Sequence, residues 1–213
     1  MFRLTPVVKN LLIINVVVFV LQSLVTAIDV TSLLAMHKIG SDGFRPYPLF
    51  TYMFAHGGLG HIFFNMLGLA FLGPLLEQFW GPKRFLIFYL VTGIGAGVLF
   101  AGIEYYRTTK VEQEVQHYMN DPSPGRFASL ADDYNNRLKP QYRQEIIQFL
   151  EYYGSHENDP STIENSKRYV NILLQASKSG IMLGASGAVY GILMAFGLLF
   201  PNTKLMLLFP PIP

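Results

Sequence analysis

Cysteine is absent from these 213 residues, which excludes disulfide frameworks and thiolate metal sites and leaves the redox compartment unreadable. Acidic side chains are scarce wherever the chain is apolar: outside 104–178 there are three, Asp29, Asp42 and Glu77. The net charge of +2 is too small to point to nucleic acid, and neither a nucleic-acid partner, a metal nor another cofactor is expected. What the chain does have is apolar mass. Hydrophobic residues make up 51% and aromatics 14%, a composition suited to a bilayer rather than to water.

Charge divides the chain into two materials. Residues 104–178 hold nine of the sixteen Lys/Arg and eleven of the fourteen Asp/Glu. The expected organisation is a membrane domain over 1–103 (spans one to three), an extracytoplasmic helical insert over 104–178, and a return to the membrane over 179–213 with span four and the start of the next loop. The fold class is all-α membrane protein, a polytopic helical bundle.

Residues 10–28 form an apolar run behind Arg3 and Lys9, long enough to cross ~30 Å of hydrocarbon. The alternative is a cleaved signal peptide, since Val25-Thr26-Ala27 resembles a small-residue cleavage site. The run exceeds a typical signal core and more spans follow, which favours an uncleaved first span. Span two is expected over 61–79 and span three over 85–103, with the basic turn Gly81-Pro82-Lys83-Arg84 between them. Gly93, Gly95 and Gly97 would let another helix come close to span three.

In the insert, Tyr142, Ile146, Phe149, Leu150 and Tyr153 recur at helical spacing behind Pro140, and Ser161-x-x-Glu164 matches a capping box. The fourth span is expected over 180–200. Lysines and arginines of the short loops put Arg3, Lys9, Lys83, Arg84 and Lys204 on one side, Lys38 and Arg45 on the other. That count predicts an N-terminus inside and residues 104–178 outside; the expected location is a bacterial cytoplasmic membrane.

This topology brings polar groups to similar depth. Asn65 lies one turn into span two, about 6 Å below its outer end, and Ser186 lies about 9 Å below Gly180, where span four enters. His61 and Asn65 are i,i+4 and share a helix face. Polar groups inside spans face the bundle interior and are functional candidates. The plain alternatives are interhelical hydrogen bonds for His61 and Asn65, and small-residue packing for Ser186 through Gly180-x-x-x-Gly184 and Gly187-x-x-x-Gly191. The chemistry such groups support together is acyl transfer: a serine nucleophile, with an amide, an imidazole N–H and a backbone N–H as donors to a developing oxyanion. An obvious general base is lacking, and using His61 as base would remove one donor.

The stretch F-T-Y-M-F-A-His56-G-G-L-G-His61-I-F-F-Asn65-M, followed by Gly184-A-Ser186-Gly187-A-V-Tyr190-Gly191, resembles the rhomboid intramembrane serine proteases. The likeness covers roughly 44–84 and 180–197. It implies Ser186 as nucleophile; Asn65, His61 and the Ser186 amide as oxyanion hole; and Gly184 as the small residue that leaves room beside the serine. It further implies His56 as a structural histidine, Tyr190 stacked on the catalytic histidine, and Glu77 as an acid used in helix packing near the inner end of span two.

Tyr47 and Pro48 stand where family members often carry Trp-Arg. The family's base is a histidine on a sixth span, and none of His37, His56, His61, His117 or His156 lies in that setting. The expectation is therefore a C-terminally incomplete rhomboid with four of six spans, inactive by itself. The whole protein would cleave transmembrane helices of client proteins in the bilayer. No His-Glu-x-x-His motif exists for a zinc protease and the spans hold no Asp for an aspartyl pair. The competing reading is a non-proteolytic rhomboid-like protein that binds client helices.

Overall fold

A computed structural model describes residues 3–134 and 140–202, and they are predominantly helical. In chain order the elements are α1 (Pro6–Leu24), α2 (Val30–Leu34), β1 (Met36–His37), α3 (Pro48–Thr51), a 3-10 turn (Tyr52–Phe54), α4 (Leu59–Trp80), α5 (Pro82–Asn120), α6 (Pro124–Tyr134), α7 (Pro140–Ser155), α8 (Pro160–Lys178), β2 (Ile181–Met182) and α9 (Ser186–Leu199). β1 and β2 pair as a two-stranded sheet. Lys204 and the apolar stretch after it lie outside the described residues.

The chain folds as two compact units. The first takes described residues of Met1–Met36, Tyr47–Val98 and Met182–Pro213; the second takes His37–Pro46 and Leu99–Ile181.

In the first unit α1 and α4 are long and apolar enough to cross a membrane, as is α5, which continues into the second unit. Lipid offers helices no hydrophobic reason to associate, so close packing and polar pins hold them. Small residues supply the packing. A Cβ on Gly68 would stand 2.8 Å from Val189 on α9, and one on Gly73 would stand 2.7 Å from Val8 on α1. Between α9 and α5, Gly187 faces Ala96 (2.5 Å) and Gly191 faces Thr92 (2.7 Å). On the adjoining face of α5, Gly93 and Gly97 receive Met53 and Tyr52. Glu77 is the polar pin expected near the inner end of α4. It is buried, and its carboxylate accepts from the Thr5 hydroxyl, Val7 N (3.1 Å) and Val8 N (2.9 Å). It caps the start of α1, whose own N-cap Thr5 makes no side-chain cap bond.

Three expectations are corrected. Span three does not end at Ile103: α5 runs unbroken to Asn120, about 58 Å at helical rise against ~30 Å of hydrocarbon. No glycine or proline lies between Gly102 and Pro122, so the shift from apolar to charged residues changes the helix's solvent and not its backbone. Span four does not start at Gly180. Gly180 (φ +123°) and Gly184 (φ +108°) hold non-helical backbone around β2, and the helix begins at Ser186. α9 is consequently a short apolar helix of 14 residues, and the described residues contain three helices of spanning length rather than four. Third, Ser161 is not the cap of α8. Asp159 is the N-cap, accepting from Thr162 N (2.9 Å) and from the hydroxyls of Ser161 and Thr162, with Pro160 in the first turn.

The second unit has its own core, built from Val111, Val115 and Tyr118 of α5, Phe127 and Leu130 of α6, Ile146 and Tyr153 of α7, and Val170 and Leu173 of α8. Tyr142, Phe149 and Leu150 pack against it, so the expected apolar face of α7 is the buried one. Inside that core the Tyr118 hydroxyl donates to Ser166 Oγ at 2.5 Å and lies 3.3 Å from Tyr153 Oη.

Candidate active site

His61 and Asn65 enter the site from the N-terminal turns of α4. Gly58 is the N-cap, so His61 is the third helical residue and Asn65 follows one turn later. Asn65 is 6% exposed and donates from Nδ2 to the His61 carbonyl at 3.0 Å. An amide nitrogen carries two hydrogens, so one remains directed away from its own helix. The His61 ring receives Gly57 N–H at Nδ1 across 3.4 Å. In the neutral ring the proton then sits on Nε2, which makes that nitrogen a donor. Neither side chain makes a side-chain hydrogen bond to another helix among the described residues.

Gly184 meets this pair from the other side of the chain. A Cβ there would lie 2.6 Å from both Cε1 and Nε2 of His61 and 3.6 Å from Asn65 Nδ2. Its φ of +108° belongs to glycine. The segment is held by Gly184 N donating to the Tyr52 carbonyl at 2.8 Å. Ser186 comes two residues later as the first residue of α9, half-buried, with no hydrogen bond on its hydroxyl among the described residues. A first-turn backbone N–H has no intrahelical acceptor, so the Ser186 amide is a free helix-start donor two residues after Gly184. The depth of about 9 Å expected from helical rise does not apply to it, because 180–185 is not helix. The Gly180-x-x-x-Gly184 pattern is not a helix-packing motif for the same reason, whereas Gly187 and Gly191 do pack against α5.

The supporting residues are placed as follows. His56 is buried 5.2 Å from the His61 ring in an edge-on arrangement, its Nδ1 facing the Phe54 carbonyl at 3.3 Å and its Nε2 buried without a partner among the described residues. Burial, with the neighbouring His61 adding to it, pushes His56 down to about 4. Tyr190, one turn after Ser186, is 70% exposed.

Two residues went unnoticed in the sequence. Tyr52 is fully buried, and its hydroxyl donates to the Gly93 carbonyl at 2.6 Å, so one residue joins the loop, α5 and the strand before the serine. Burial pushes its phenol up to about 12, which keeps it a neutral donor. Gln22 on α1 accepts from His56 N (3.0 Å) and donates to the His56 carbonyl (3.3 Å) and Thr31 Oγ1 (2.9 Å). Both act on main-chain groups, which leave no mark in a residue pattern.

Part of this chain is similar to known proteins. Residues 43–117 match the family model described as Rhomboid domain, a range that holds His56, His61 and Asn65. RHOMBOID-like protein 1 of Arabidopsis thaliana is 34% identical over 73 residues, which is 34% of this chain and 17% of that protein. The mitochondrial RHOMBOID-like protein 12 of the same plant is 34% identical over 89 residues, 41% of this chain and 26% of the relative. Inactive RHOMBOID-like protein 8, also from Arabidopsis thaliana, is 42% identical over 64 residues, 30% of this chain and 18% of the relative. The matched stretches thus span about a sixth to a quarter of these relatives, and no solved structure matches. These relatives are plant proteins, and they lend no support to the bacterial membrane expected from the sequence. With apolar helices long enough to cross a bilayer, this integral membrane protein is similar, over residues 43–117, to the rhomboid family.

Proposed function

We propose that this chain supplies the nucleophile and the oxyanion-binding side of an intramembrane serine endopeptidase, which cleaves transmembrane helices of client proteins by acyl transfer. The observation that carries the reading is Gly184, held at a glycine-only φ within 2.6 Å (at its would-be Cβ) of His61 and two residues before Ser186. Ser186 Oγ attacks the scissile carbonyl carbon and its proton passes to a base. The carbonyl oxygen becomes negative and meets His61 Nε2–H, the free Asn65 Nδ2–H and the Ser186 backbone N–H. Collapse expels the amine with a proton and leaves an acyl ester on Ser186, which water then hydrolyses.

His61 is not the base in this scheme, because a ring whose Nδ1 accepts from Gly57 holds its proton on the nitrogen facing the site. The base is a histidine on a further span, as the family resemblance implies, with the exposed Tyr190 ring available to stack on it. His56 supports the loop. The orientation proposed is N-terminus inside with residues 104–178 outside; the partners are client helices and the bilayer, and no cofactor or metal takes part.

The test is reconstitution of the protein, extended to include the span carrying the base, with a fluorescent transmembrane client. Cleavage lost in Ser186→Ala supports the reading; cleavage that persists in that variant overturns it. A second reading, client binding without proteolysis, is favoured by the 42% identity to a relative named inactive. Labelling by a serine-directed fluorophosphonate that disappears in Ser186→Ala would eliminate it.

A further inference from the structure

We propose that Gln22 is a positioning residue that sets the direction and protonation pattern of the His61 ring. Its consequence for turnover rests on reading His61 as an oxyanion donor; its effect on the ring does not. A primary amide two residues before the end of an apolar helix is costly unless its polar atoms find partners. Gln22 directs both ends of its amide at the His56 main chain. Oε1 takes His56 N–H, while Nε2 serves both the His56 carbonyl and the Thr31 hydroxyl. The His56 N–H, which can only donate, and the His56 carbonyl, which can only accept, fix which way the amide faces, and the Thr31 hydroxyl adds a further acceptor for Nε2.

The residue clamped this way is followed by Gly57 and Gly58, a pair with wide backbone freedom. Without a fixed point just before them, nothing would aim the Gly57 N–H. With His56 held on both main-chain groups, that N–H reaches His61 Nδ1 at 3.4 Å, and the ring's other nitrogen is left facing Gly184. The order of cause is Gln22 amide, His56 main chain, Gly57 N–H, His61 ring. Gln22 touches no reacting atom and acts only through this relay.

The experiment reads the ring directly. The protein is labelled with ¹⁵N-histidine, placed in detergent micelles near neutral pH, and its imidazole nitrogens are observed by long-range proton–nitrogen correlation, with His61 assigned from His61→Asn. The unaltered protein should show a bare Nδ1 shifted by an accepted hydrogen bond and a protonated Nε2. Gln22→Leu should move the Nδ1 resonance toward that of a free ring nitrogen. Thr31→Val, a milder change to the same amide, should move it the same way by less, and Gln22→Glu, which keeps the acceptor for His56 N–H, should leave it near its original place.

In the extended protein, Gln22→Leu should lower kcat about tenfold with little change in KM, less than the ~10²–10³-fold of losing an oxyanion donor outright. His61 resonances unchanged in both Gln22→Leu and Thr31→Val would overturn the proposal, as would a proton on Nδ1 in the unaltered protein. Resonances that move in a protein that cleaves nothing would uphold the positioning role and remove the protease reading instead.

Discussion

Replacing Gly184 with alanine tests the site most directly, because two independent costs can be worked from its surroundings. The first is backbone strain. A φ of +108° is one that residues with a side chain rarely adopt, and forcing one there costs about 1–3 kcal/mol. The second is collision. The new methyl would lie 2.6 Å from two atoms of the His61 ring, so the imidazole must retreat by about 0.8 Å to restore ordinary contact. A displacement near 1 Å in a reacting constellation costs roughly 10²-fold in rate, about 2.7 kcal/mol. Gly40→Ala separates the two costs, since Gly40 has φ +86° but open space around its would-be Cβ. The assay is the second-order rate of fluorophosphonate labelling at Ser186 in the extended protein, paired with thermal unfolding in the same detergent. Both variants should unfold earlier, and only Gly184→Ala should label about a hundredfold more slowly. Labelling of Gly184→Ala within threefold of the unaltered protein would show that the glycine does not guard the ring, and the reasoning would fail.

Glu77→Ala leaves the Val7 and Val8 N–H groups without their acceptor, and a loss of about 2–4 kcal/mol of stability is expected in equilibrium unfolding in mixed micelles. Tyr52→Phe removes one buried hydrogen bond to the Gly93 carbonyl and should cost about 1 kcal/mol in the same measurement, with client cleavage largely retained. His56 stays neutral in the fold down to about 4, whereas an unfolded histidine protonates near 6.5. Between those values the unfolded state binds the extra proton, so stability should fall as pH drops from 6.5 to 4. Melting curves across that window should show the slope, and His56→Asn should flatten it.

The side chains of the site could be read ahead of the structure more readily than its backbone. His61 and Asn65 share a face because helical spacing dictates it, and the Gly-x-Ser pattern marks where small residues let the serine's segment approach. The start of α9 was hidden, because Gly180 to Ala185 is apolar enough to pass for membrane helix. Nothing in composition announces that two of its glycines sit at positive φ. The end of α5 was hidden for the opposite reason: a sharp change in charge looks like a boundary, but a helix stops where its backbone bonds stop, and here no residue interrupts them. The capping box at Ser161 lost to Asp159, whose carboxylate gathers three donors where a hydroxyl would satisfy one.

Helix α1 is fastened near both ends, by Glu77 around Val7 and by Gln22 on the loop at His56. Sliding one greasy rod along another in hydrocarbon changes little, so side-chain packing alone is a poor ruler for axial position. Two directional bonds set far apart along the same rod act as a ruler: a shift by a single residue, about 1.5 Å, would break both at once. Insertions or deletions within α1 between those two points should therefore be tolerated far less than substitutions of its lipid-facing side chains.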